Sequence, residues 1–157
     1  MSNFWGTCQA ECINLNISRE DKERFDRFEK LTDPRKEPLY LHAKKTTNSA
    51  ARWLSEVPSL DIDEYREAYE ELTWHHTMAL TKVYRALFSK KEACLEKGDI
   101  KEFSLEDSIK SAYVALRSAM ICKNALEFMD RYVRDFRIKE MVKEYQKLTE
   151  LIEKTLT

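Results

Sequence analysis

Histidine and cysteine are scarce in this 157-residue chain, and three of them fall where a metal ion could be held. His42, His76 and Cys122 sit in three separate stretches of helical pattern. If the first two stretches run antiparallel and turn near Ser59, His42 and His76 share a height. A second turn near Lys101 then sets His76 opposite Cys122, with His75 and Glu71 close by. Imidazole with thiolate suits zinc or another borderline metal. Cys8 and Cys12, four apart, supply at most half of a zinc or iron–sulfur site, and no partner pair is visible near them. The sequence demands no cofactor; zinc or iron is what these side chains would take. Against a metal stands the absence of any local ligand pair and of the Glu and Glu-x-x-His pattern of di-iron bundles. A lone histidine in a helical seam otherwise serves register.

Basic residues offer a second chemistry. Lys110, Arg117 and Arg131 recur at multiples of seven along one helical stretch and share a side with Arg134. Lys44, Lys45 and Arg52, next to Trp53, are expected alongside. Spaced cations on a rigid helix can track phosphates, and an aromatic ring can stack a base. Glu127, Asp130 and Asp135 interrupt the field, as on an ordinary solvated face. A formal net charge of −1 excludes a bulk polycation that coats nucleic acid.

For catalysis the chain offers little. It has no Gly-rich phosphate loop, nucleophile elbow or H-E-x-x-H. Glu70 and Glu71 near the histidines form an acid–base pair in principle, but acids crowd the first turns of helices for electrostatic reasons. The sequence favours a binding or assembly role over an enzyme.

The elements that position these residues are helices. Two glycines and three prolines are too few for the turns of a β fold. The stretch from Ser104 to about Arg137 organises the rest. Ser104 and Asp107 have capping-box spacing. One face is small (Ser108, Ala112, Ala115, Ala119, Cys122, Ala125), and a second is large and apolar (Ile109, Tyr113, Leu116, Met120, Leu126). Two such faces predict packing on more than one side.

Before it, Asp61 and Glu64 open a helix over 61–97 with a heptad-like seam of Ile62, Tyr65, Tyr69, Leu72, His76, Ala79, Val83 and Leu87. Gly98 is placed to end it. Helices are also expected over 18–31, with Phe25, Phe28 and Leu31 as its stripe, and from Pro38 to the stop at Pro58. Beyond Phe136 the apolar seam shifts to Met141, Tyr145, Leu148 and Ile152. With no Gly or Pro between, one helix is expected to run from 104 to about 154, kinked where the seam shifts.

The reading is an all-α, elongated bundle of four to five helices, built on a long antiparallel hairpin (61–97 and 104–137). Residues 1–17 form a tail, and 18–157 a single domain. An overhanging C-terminal arm would expose Met141, Tyr145, Leu148 and Ile152 to another chain, and Phe4 and Trp5 could add to that surface. The expected role is a non-catalytic interaction or assembly subunit with a protein partner or a second copy. A small nucleic-acid-binding subunit and a metal-binding bundle are the alternatives. No apolar run spans a membrane, the N-terminus has no signal-peptide pattern, and the cysteines form no disulfide framework. A cytoplasmic setting follows as the expectation.

Overall fold

A computed structural model describes Arg19 and residues 33–95 and 99–156. Among the described residues there is no strand. From Pro34 onward the chain packs as one compact unit. Four helices make it: α1 (Pro38–Glu56), α2 (Asp63–Leu95), α3 (Asp99–Met129) and α4 (Phe136–Leu156), with a short 3-10 turn at Pro34–Lys36. The expected tail and 18–31 helix lie outside the described residues, as do Gly98, Phe4, Trp5, Cys8 and Cys12.

Local chemistry sets the boundaries. α1 begins with Pro38 in its first turn, where a missing N–H costs nothing. It stops at Val57, whose extended backbone (φ −68°, ψ 142°) is the one a residue before proline prefers. α3 starts five residues earlier than the capping-box spacing implies, so Ser104 is interior to the helix. Asp107 is used across helices instead. Its carboxylate accepts from Arg85 at 3.1 and 3.3 Å and from Ser89 at 2.8 Å, both on α2.

The expected continuous helix to 154 is also corrected. α3 ends at Met129, and the N–H groups of Arg131, Tyr132 and Val133 tighten back onto Phe128 and Met129. Asp135 then opens a new helix as its N-cap: its Oδ1 accepts the Arg137 backbone N–H at 2.9 Å. A side-chain cap gives a stop without glycine or proline.

Cross-helix hydrogen bonds fix the topology. His75 lies 3.2 Å from Ser118, and Ser108 donates to the Ala86 carbonyl at 2.7 Å, so α2 and α3 are antiparallel. Thr47 reaches the His76 carbonyl and Tyr69 the Leu54 carbonyl, making α1 antiparallel to α2. Glu56 with Arg137 and His42 with Glu144 do the same for α1 and α4. The result is an up-down-up-down bundle in the order α1, α2, α3, α4, with α1 and α3 on the diagonal. The small face of α3 lies in the core as expected. Ala115, Ala119 and Cys122 have no exposed surface.

Candidate functional site

The described bundle presents two surfaces with unused chemistry and one group of polar side chains that is partly buried. The His76 ring turns back to the Leu72 carbonyl of its own helix at 2.9 Å, and His42 spans to the Glu144 carbonyl at 2.8 Å. Thr46 Oγ1 is buried and makes no hydrogen bond, and the Tyr145 hydroxyl is buried with only the Cys122 thiol beside it. Cys122 lies against Tyr145; burial pushes its thiol up to about 12, and burial likewise raises the tyrosine hydroxyl. A thiol held protonated at neutral pH is not a metal-ready thiolate.

Thus His42, His76 and Cys122 do not converge. Each imidazole is committed to a backbone carbonyl, and Glu71 lies with Glu64, Glu67 and Asn124 in a depression between α2 and α3. Among the described residues no group of three or more His, Cys, Asp or Glu is placed to hold a metal ion.

The C-terminal seam does not overhang. Met141, Tyr145, Leu148 and Ile152 all face inward and are buried in the core of their own bundle. The break after Met129 is the reason: it folds α4 back against α3 and α1, and the seam is covered within the chain.

The second apolar face of α3 is the first open surface. Ile109, Tyr113 and Met120 are 44%, 58% and 50% exposed, and Leu105 continues the row at 45%. Leu116 is half-buried, and Leu126 alone of the expected face lies in the core. This face was expected to be packed. Within the described unit no helix covers it, because α2 and α4 take the small face of α3 and its shoulders.

The basic residues divide between two places. Lys110 and Arg117 lie exposed beside the α3 row, with Lys110 paired to Glu106 at 3.0 Å. Arg131 and Arg134 are past the end of α3, so the spacing by seven stops describing a common face. Arg131 instead sits 5.1 Å from the Phe128 ring centre. Lys44, Lys45 and Arg52 are on α1, diagonal to α3, and do not extend the α3 stripe.

They line the second surface, a cleft of about 530 Å³ between α1 and α4. Arg137, Glu140 and Glu144 form its opposite wall, and Glu144 Oε2 is buried without a hydrogen bond. Trp53 is almost wholly buried at the base and donates its indole N–H to Asp135 at 3.0 Å, so its ring is not free to stack a base. Arg137 beside it holds the Asp135 carboxyl well down, to about 2. Sequence reasoning missed Asp135, Arg137 and Glu144. Asp135 two residues before Arg137, at the edge of an apolar seam, was the one signal available for the cap.

Among the described residues no helix is long and apolar enough to cross a membrane. The chain matches no protein-family model, and comparison with curated proteins and with solved structures finds no significant match.

Proposed function

We propose that this protein is a non-catalytic helical assembly subunit that receives a helix of a partner chain on the outer face of α3. One observation carries the reading: a row of large apolar side chains, Leu105, Ile109, Tyr113 and Met120, stands about half exposed at helical spacing. Scattered exposed hydrophobics need no explanation, but a contiguous row along one helix is the pattern that amphipathic helices dock against. Full burial of such a side chain is worth about 1.5–3 kcal/mol, so covering the remaining half of four gives roughly 3–6 kcal/mol. Association costs at least about 4 kcal/mol, so the row acts as the centre of a larger interface. Lys110 and Arg117, exposed at its edge, supply a polar rim.

Photo-cross-linking from position 113 in the native cell tests this. A benzoylphenylalanine replacing Tyr113 in the full chain is expected to give a discrete adduct, and Ile109→Asp with Met120→Asp to remove it. The same group at Lys143, exposed on α4, is the control. An adduct at twice 18.7 kDa makes the partner a second copy; any other discrete mass makes it a different chain. No adduct above the control overturns the proposal.

A further inference from the structure

The spacing of the exposed α3 row singles out one partner. Ile109, Tyr113, Leu116 and Met120 are separated by four, three and four residues, a pattern that reads the same in either direction. A half-turn about an axis crossing α3 between Val114 and Ala115 therefore exchanges Ile109 with Met120 and Tyr113 with Leu116. That is the requirement of an isologous interface, in which residue i of one copy meets j of the other and j meets i. The next place out at each end of the row is charged, and the two charges are opposite. Glu106 stands three residues before Ile109, and Lys123 three after Met120. Glu106 is exposed and Lys123 half-buried, so both can be reached from outside the bundle. The same half-turn sets Glu106 of each copy against Lys123 of the other. A parallel pairing would set Glu106 on Glu106 and Lys123 on Lys123, so the charges select the antiparallel arrangement. Each of the two is also held by a neighbour on its own helix, Lys110 at 3.0 Å and Glu127 at 3.6 Å, which leaves both ends of the row balanced in charge. One like-charge meeting results, Lys110 with the second copy's Arg117. It falls on the edge, where both side chains reach solvent and Lys110 is already paired with Glu106.

We propose that the outer face of α3 binds α3 of a second copy of this chain, antiparallel, about a two-fold axis between residues 114 and 115. The inference rests on the reading of the row as a docking surface and names its occupant. The apolar gain from one row falls close to the cost of association, and a second copy brings an equal row to the same contact. An interface centred on one helix from each side is small, so the association is reversible and the dilute chain is monomeric.

Sedimentation equilibrium of the full chain over a series from about 1 to 200 µM tests this. The wild type is expected to pass from monomer to a dimer at twice 18.7 kDa. Glu106→Lys and Lys123→Glu, each alone, set like charges together at both ends of the interface. Either should weaken the dimer roughly tenfold, since two surface pairs turn from attraction to repulsion. Combined in one chain, the two substitutions exchange the charges and should restore most of the affinity. The two single variants, mixed, should form the mixed dimer in preference to either like pair. The inference is overturned by a monomer throughout the series, by a dimer that survives Ile109→Asp with Met120→Asp, or by charge variants that show no loss and restoration. The assembly reading fails separately, by the absence of an adduct from position 113. A monomer in sedimentation with an adduct of another mass removes only the second copy.

Discussion

Removing the carboxylate of Asp135 should cost far more than its surface position suggests, because one side chain closes three accounts. Asp135 Oδ1 accepts the Arg137 backbone N–H at 2.9 Å and caps α4. Its Oδ2 accepts the Trp53 indole N–H at 3.0 Å, and Trp53 is only 1% exposed. Both oxygens also meet the Arg137 guanidinium, which reaches on to Glu56 at the end of α1. Losing an N-cap costs about 1 kcal/mol. Leaving a buried indole N–H without an acceptor costs about 1–2 kcal/mol. The Arg137 pair is too exposed to add measurably. Asp135→Ala is therefore expected to destabilise the protein by about 2–3 kcal/mol. For a domain of this size that is a fall in Tm on the order of 10 °C. Urea denaturation followed by circular dichroism measures it. Asp135→Asn keeps one acceptor oxygen in place of two, so either the cap or the indole N–H loses its partner, and its cost should fall between wild type and Ala, at about 1–2 kcal/mol. In a double-mutant cycle Trp53→Phe and Asp135→Ala should be coupled by about 1 kcal/mol. An Ala variant within about 0.5 kcal/mol of wild type would refute the reasoning, since that is the noise of an ordinary surface change. Equal losses for Ala and Asn would show that one remaining oxygen secures neither the cap nor the indole.

Two further outcomes follow from the same geometry. Arg137 lowers the Asp135 carboxyl to about 2, and Arg85 lowers that of Asp107. Both groups bind fewer protons folded than unfolded, so their stabilisation is present above about pH 4 and is lost as pH falls through their lowered folded values, near 2 for Asp135; Asp135→Ala should flatten that acid limb in a pH series of urea midpoints. Leu148→Asp with Ile152→Asp should abolish folding, seen as loss of the helical signal, whereas Ile109→Asp with Tyr113→Asp should leave the urea midpoint nearly unchanged; the reverse pattern would mean that the inward and outward faces have been misassigned.

The helices were legible because their pattern is repeated many times over, and the joints were not because each depends on one side chain. The α2 seam from Tyr65 to Val83 could be placed by counting threes and fours, and Tyr65, Leu72, Ala79 and Val83 are buried as that count requires. Pro38 and the Val57-Pro58 step marked both ends of α1. The turn after Met129 carries no glycine or proline, and its stop rests on a carboxylate whose indole partner lies 82 positions away in the chain. That distance hides it from any local reading. The cost of missing it was large, since an unbroken helix pushed Met141, Tyr145, Leu148 and Ile152 out toward a partner they do not face. Lys44, Lys45 and Arg52 were recognised as a group, but their place relative to α3 depended on the order of helices around the bundle. Glu144 had no signal at all: an orphan oxygen is a property of packing.

The two faces of α3 make sense together. The inward residues Ser108, Ala112, Ala115, Ala119, Cys122, Leu126 and Met129 alternate fours and threes, and all are buried. Such spacing keeps one seam facing its neighbours along the length of the helix. Its small side chains let the neighbouring helices approach closely. One position further round, Ile109, Tyr113, Leu116 and Met120 repeat the same four-three-four spacing, with Leu105 before them, but outside. This second seam stops where Lys123 and Glu127 take the next two places and pair with each other at 3.6 Å. A surface that was merely tolerant of hydrophobics would show no register and no defined end. A seam in register and closed by an ion pair is dimensioned for a helix of about four turns, roughly 24 Å long. On the proposed assembly role, that length, rather than hydrophobicity as such, is what a partner helix would have to match.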